Sequence, residues 1–317
     1  LSSFGFEQHQ YAEKVLEGVL HDDELLAIIY TVDDPAKWDD PVEWQKANPG
    51  LGVSVYLENL KAACEAAKRK PTELPNFQTK RLNIWLRGGS KWIPIPDWNR
   101  CGDSKLSLAD FAGEPCYIGL DLAEKKDVAA MAIVFKRGRK FYAFFKLYLN
   151  EDQAHAPENR HFYGWEQSGH LTVTPGNATD FDVIRADLVA LKQVHDVQQV
   201  IYDPKFATYF ATKLATEESL LMVEMPQTSA RFTLPIIEIE NLVLEGNFQH
   251  DNNPAVAWMV SNVVMRVSKF SGLKHPTKEN EASKIDAAVA LVMAMAQALA
   301  TEPTESLDDF FNNPVIG

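Results

Sequence analysis

Three aspartates, far apart in the chain, each stand at the edge of an apolar run. Asp121 lies within Tyr117-Ile118-Gly119-Leu120-Asp121-Leu122-Ala123, and Asp203 ends Val200-Ile201-Tyr202 before Pro204. Asp286 follows Ser283-Lys284-Ile285 and heads a segment that is apolar through Ala300 except for Gln297. Carrying an uncompensated carboxylate into a core costs several kcal/mol, roughly, so such acids need hydrogen bonds, a cationic partner or a metal. An all-oxygen set suits hard divalent ions such as Mg2+ or Mn2+ rather than zinc. Three acids meeting at one place would hold two ions about 4 Å apart, one activating water and the other stabilising the leaving oxygen of a phosphodiester. Asp127, just past the turn Glu124-Lys125-Lys126, is either a fourth carboxylate of that set or a hairpin cap. Lys126, Lys205 and Lys284 stand beside the acids in sequence, either to hold a phosphate or to balance the carboxylates.

Each acid also has a plainer reading. Ser283-x-x-Asp286 has the spacing of a capping box at a helix start. Asp203 before Pro204 would end a strand and cap the next helix. Asp121 is hardest to explain away, because it stands inside an apolar run rather than beyond it. His155, His161 and His170 match no zinc spacing and read as loop histidines. The basic turn Lys136-Arg137-Gly138-Arg139-Lys140 is a solvated hairpin tip or a phosphate-backbone contact, and Asn252-Asn253-Pro254 is a helix-starting turn.

The elements that must position these residues follow from hydrophobic pattern. Strands are expected at 117–123, 128–136 and 140–149, joined as an antiparallel meander. A polar excursion covers 150–179, and then come a helix at 181–195 capped by Thr179 or Asp180, a strand at 199–203, a helix at 205–217 and a strand at 221–225. Helices at 234–245 and 255–267, a polar loop at 271–283 and a helix at 284–300 complete the order. Three meander strands followed by alternating helices and strands indicate an α/β fold: a ribonuclease H-like mixed sheet flanked by helices. In that order of elements Asp121, Asp203 and Asp286 converge at one edge of the sheet. Upstream, the pattern predicts a helix at 7–20, a buried strand at 25–30, a turn-rich segment with Trp38 and Trp44 packed back, and helices at 55–70 and 74–82, a mostly helical linker segment. Residues 1–96 are thus separated from a main domain at 97–301, and 302–317 form an acidic tail expected to be disordered.

With 317 residues and 46% hydrophobic content, the chain can bury a large core. No apolar run reaches the roughly 18 residues of a membrane span, so no membrane partner is expected. Cys64, Cys101 and Cys116 show no paired spacing and read as free thiols of a reducing cytoplasm. The net charge of −13 argues against a protein that coats nucleic acid electrostatically, though an enzyme meets DNA through a local basic patch and its metals.

In ordered combination, YIGLDLAEKKDVAA (117–130), VIYDP (200–204), ENLVLEGNFQHDNNPAVAWMVSNVV (240–264) and SKIDAAVALVMA (283–294) resemble the large terminase subunit of tailed phages and prophages. The upstream DDPAKWDDPVEWQKANPGLG (33–52) and FQTKRLNIWL (77–86) resemble the segment joining such a subunit's packaging ATPase to its nuclease. The resemblance implies that 1–96 is the C-terminal remnant of the ATPase region with its linker and that 97–301 is a nuclease domain. It further implies that Asp121, Asp203 and Asp286 are the catalytic metal ligands of an endonuclease cutting concatemeric double-stranded DNA in a host cytoplasm. Mg2+ or Mn2+ is the implied cofactor, and DNA, the terminase small subunit and the portal protein are the implied partners. No GxxxxGK followed by Ser or Thr occurs in the chain, so ATP is not expected to bind this fragment. Two other readings stay open at this level: a non-catalytic docking module of a packaging motor, and an actin or sugar-kinase-like ATPase. The latter is disfavoured by the bulk and charge of Leu122-Ala123-Glu124-Lys125-Lys126 where phosphates would need room.

Overall fold

The computed structural model describes residues 4–69, 73–85, 90–205, 207–268, 271–278 and 282–300; the acidic tail at 302–317 lies outside them. The chain divides into two compact units, Leu1–Ser90 and Lys91–Gly317.

The first unit carries α1 (Phe4–Leu16), α2 (Pro41–Ala47), α3 (Leu57–Arg69) and α4 (Leu74–Arg81). Asp40 caps α2 by accepting the Val42 N–H, with Pro41 at the first helical position, where a missing N–H costs nothing. Trp44, Leu60, Cys64, Ala67, Phe77 and Leu82 form its core, with Trp38 and Trp44 both set edge-on to Phe77. The expected strand at 25–30 is not one. Leu26, Ile28 and Tyr30 are exposed, and among the described residues no strand pairs with this segment. An apolar run becomes a strand only when a neighbour takes its backbone hydrogen bonds.

β1 (Ser90–Lys91) straddles the division in sequence, and the second unit carries α5 (Ile95–Arg100) next. It continues with β2 (Pro115–Asp121), β3 (Ala129–Arg137), β4 (Lys140–Asn150), α6 (Glu151–Ala154), α7 (Arg160–Gln167), β5 (Thr172–Thr174) and α8 (Phe181–Val194). Then come β6 (Asp196–Tyr202), α9 (Thr208–Glu217), β7 (Met222–Glu224), α10 (Ser229–Glu245), β8 (Phe248–His250), α11 (Pro254–Ser261), β9 (Val263–Val267), β10 (Lys274–Lys278) and α12 (Asp286–Ala300). The main sheet has the order β5-β4-β3-β2-β6-β7, with β8 added to β4. The β2-β3-β4 meander is antiparallel, and β6 and β7 run parallel to β2. This is the ribonuclease H-like mixed sheet, flanked by helices.

Alternation along the strands decides what meets each face. Cys116, Ile118 and Leu120 of β2, Met131, Ile133 and Phe135 of β3, and Val200 and Tyr202 of β6 pack with α8 and α9 through Ile184, Leu188, Phe210 and Leu214. The alternate positions, Gly119 and Asp121 on β2 and Ala130 and Ala132 on β3, belong to the opposite face, on which α12 packs. Those positions are small because the approach is close: a Cβ on Gly119 would stand 2.0 Å from the Ala290 carbonyl oxygen. Ala287, Ala288, Ala290 and Ala294 of α12 are buried, and Ala290 and Ala294 are the ones that approach Gly119. Close packing fixes where the helix begins, and therefore where Asp286 sits.

Three expectations need correction. The polar excursion at 150–179 contains α6 and α7, whose Phe162 and Trp165 pack against Trp258 of α11. The helix expected at 255–267 ends at Ser261, and Val263-Val264-Met265-Arg266-Val267 forms β9 instead. Its partner β10 falls in the expected polar loop, with Lys274 opposite Val267 and Lys278 opposite Val263. β-branched residues favour the extended form once such a partner exists. The three cysteines are buried free thiols, as expected.

Candidate active site

Asp121 is the last residue of β2, and Asp203 follows the last residue of β6. The two strands are parallel neighbours with Leu120 opposite Tyr202, so the acids occupy equivalent positions at the carboxyl edge of the sheet. Since Leu120 and Tyr202 both face α8 and α9, alternation turns Asp121 and Asp203 to the face covered by α12. Asp286 opens α12 on that face. The sheet and one helix start thus bring together the three acids that are widely separated in sequence.

The helix-capping readings of two acids do not survive, though Asp203 does directly follow the end of its strand. The Ile285 carbonyl accepts the Val289 N–H at 3.0 Å, which makes Ile285 the residue before the helix and Asp286 its first member. Ser283 is therefore two positions too early for a capping box, which would also need the acid at the third helical position. Asp203 accepts the Lys205 N–H at 3.2 Å, a local turn bond, whereas α9 begins only at Thr208 with Ala207 before it.

The site is under electrostatic tension. Burial, and after it the neighbouring Asp286 carboxylate, push Asp121 well above the usual carboxylate range; Asp203 adds to the rise, while the Gln227 hydrogen bond and Lys278 oppose it. Burial pushes Asp286 up to about 6, against the pull of Lys278, with Asp127 adding to the rise. Asp286 Oδ2 is buried with no hydrogen-bond partner. A buried acceptor without a donor is costly, and a cation among these oxygens would satisfy it. Among the described residues no three His, Cys, Asp or Glu side chains form a ready-made metal cage. The donors that Asp121, Asp203 and Asp286 offer are all carboxylate oxygens, the chemistry that suits Mg2+ or Mn2+.

Gln227 escapes sequence reasoning. It lies in the loop after β7, the next parallel strand, where the Met225 N–H bonds to the Tyr202 carbonyl at 2.8 Å and fixes the loop beside the acids. Its Nε2 donates to Asp121 Oδ1 at 3.0 Å, orienting the carboxylate. A lone Gln after an unremarkable strand carries no periodic signal. Asp127 is the hub of a second cluster: burial works against its charge, but hydrogen bonds from Lys278 and Lys284 outweigh it and hold its carboxyl below the usual range. The loop carrying Asp127 is tied down by the Asn150 amide on the Lys125 carbonyl at 2.8 Å and by the Thr179 N–H on the Glu124 carbonyl at 2.7 Å.

Other candidates have structural jobs. Arg137 of the basic turn donates to Glu114 and to the Asp110 carbonyl and lies over the Phe111 ring. That turn is also at the far end of β3 from Ala130, the partner of Asp121, a separation of roughly 23 Å at strand rise. His155 pairs with Glu166 at 2.7 Å, and His161 packs among Phe162, Trp165 and Trp258. Asn253 caps α11 by accepting the Ala255 N–H, as its turn suggested.

With this geometry in view, three comparisons bear on the chain. Residues 19–302 match the family described as terminase large subunit, endonuclease domain. Protein YmfN of Escherichia coli K12 is 34% identical over 320 residues, covering 96% of this chain and 70% of that protein. The terminase large subunit of Enterobacteria phage HK97 is 24% identical over 301 residues, covering 93% of this chain but only 59% of its own length. The crystal structure of the HK97 large terminase superposes with a TM-score of 0.57 at 21% identity, over 92% of this chain and 60% of that one. Among the described residues no helix is long and apolar enough to cross a membrane.

Proposed function

Because this chain belongs to the family of terminase large-subunit endonuclease domains, we propose that it is a divalent-metal-dependent endodeoxyribonuclease that cuts concatemeric double-stranded DNA during phage DNA packaging. Asp121, Asp203 and Asp286 would hold two Mg2+ or Mn2+ ions. The observation that carries this reading is the convergence of the three acids at one sheet edge, with Asp286 Oδ2 buried and unsatisfied.

Ions held by Asp121, Asp203 and Asp286 would supply Lewis acidity and a more acidic water for phosphodiester hydrolysis. The chain supplies their placement. Gln227 holds one oxygen of Asp121 and leaves the other open; the α12 start presents Asp286, and the strand end presents Asp203. The raised proton affinity of Asp121 and Asp286 comes first from burial of their charge, with Asp286 and Asp203 adding to it at Asp121 and Asp127 at Asp286; a bound cation would offset that cost. Packaging in a host cytoplasm would add the terminase small subunit and the portal protein as partners.

The test is nicking of supercoiled plasmid by the purified chain. Cleavage with little sequence preference in Mn2+ or Mg2+ and none in EDTA is the expected result. Cleavage that persists in EDTA, or none with either ion, would refute the proposal.

A further inference from the structure

Two lysines from different elements converge on Asp127. Lys278 ends β10 and Lys284 stands two residues before α12, yet the Nζ atoms of both lie 2.7 Å from the same Oδ1. Their surroundings differ. Lys284 is held on several sides: its Nζ also donates to the Lys126 carbonyl at 2.7 Å, its own carbonyl accepts the Asn262 amide at 2.8 Å, and its side chain is 11% exposed. Lys278 makes its bond to Asp127 and keeps 32% of its side chain open to solvent. An ammonium has three N–H donors, so one bond leaves capacity for a ligand. Lys278 also lies near enough for its charge to act on both Asp121 and Asp286.

We propose that Lys278 holds a non-bridging oxygen of the DNA phosphate at the bond being cut, with Asp127 and Lys284 as positioning residues that fix its ammonium beside the acids. This inference rests on the nuclease reading above. A lysine serving only to neutralise the acids would gain most by bonding to them directly. Lys278 instead bonds to Asp127, a carboxylate outside the three, and keeps two further N–H donors. Asp127, with one oxygen already shared by two ammonium groups, serves here as an anchor and not as a fourth ligand.

The experiment compares wild type, Lys278→Met and Lys278→Arg in three measurements. These are affinity for a short duplex in Ca2+ at several salt concentrations, Mn2+ affinity without DNA, and nicking in saturating Mn2+. Methionine keeps the apolar stem, so the fold is expected to survive; thermal melting checks it. Loss of one phosphate contact should make the slope of log affinity against log salt shallower by about 0.9. Nicking should fall by about 100-fold, as for loss of one preorganised donor, while Mn2+ still binds. Lys278→Arg should recover the salt slope. An unchanged slope with wild-type nicking in Lys278→Met would overturn the inference while leaving the nuclease reading intact. So would a loss of nicking fully restored by more Mn2+, which would make Lys278 a charge-balancing residue. A wild type that fails to nick would instead remove the nuclease reading and this inference together.

Discussion

Asp286→Asn is expected to cut DNA slower than wild type by about 100-fold or more, and to melt at a higher temperature than wild type when metal is absent. The two effects share one cause. Asparagine preserves size and an acceptor oxygen but carries no charge, so it cannot offset a divalent ion as the carboxylate does. Without metal that same charge is a burden, since burial displaces Asp286 from 3.8 to about 6. The charged side chain therefore destabilises the metal-free folded protein at neutral pH. Part of that loss returns as stability when the charge is removed. Nicking rate in Mn2+ beside melting in EDTA measures both. A structural Asp286 would show the opposite pattern, with cutting retained and stability unchanged or lower.

The gap in melting between Asp286→Asn and wild type should itself depend on pH and metal. A carboxyl whose folded pKa is raised binds its proton more tightly folded than unfolded, so stability falls as pH rises from about 3.8 to about 6 and stays low above that. In EDTA the variant's advantage should therefore vanish near pH 3.8 and grow through that window, and it should grow further as Asp121, whose proton affinity the Asp286 charge helps to raise, ionises. Taking the difference matters, because His250, held down to about 4 by burial, makes the whole protein lose stability toward acid for an unrelated reason. Saturating Mn2+ at pH 7.5 should shrink the variant's advantage. An ion at 100 times its dissociation constant stabilises wild type by about 2.7 kcal/mol, and the variant by less. A gap that ignores both pH and Mn2+ would argue against a charged Asp286 in a cation site.

How much of this was legible follows from which interactions are local. Alternation along 117–121 and 200–203 sets the face of Asp121 and Asp203, and the sheet places them as that pattern requires. The start of α12 was legible to within two residues, and the capping-box alternative at Ser283 stayed open until the Ile285 to Val289 bond fixed the helix start. Leu25-Leu26-Ala27-Ile28-Ile29-Tyr30 and Val263-Val264-Met265-Arg266-Val267 were each misread, in opposite directions. The first has strand composition without a strand partner, and the second has a partner hidden in polar Lys274–Lys278. Gln227 and Lys278 act on acids more than 100 residues away in the chain, through contacts that only the folded loops create. Gly119 had a signal that went unused: a glycine two residues before a buried acid marks the close approach of α12 that brings Asp286 to the site.

The most direct measurement of the central claim is an anomalous-difference map from a crystal of the chain soaked in Mn2+. The account predicts manganese peaks bounded by the carboxylates of Asp121, Asp203 and Asp286, with Asp286 Oδ2 as a ligand and Asp127 still holding Lys278 and Lys284. A saturated soak with no peak among the three acids, or with manganese bound only elsewhere on the surface, would contradict it.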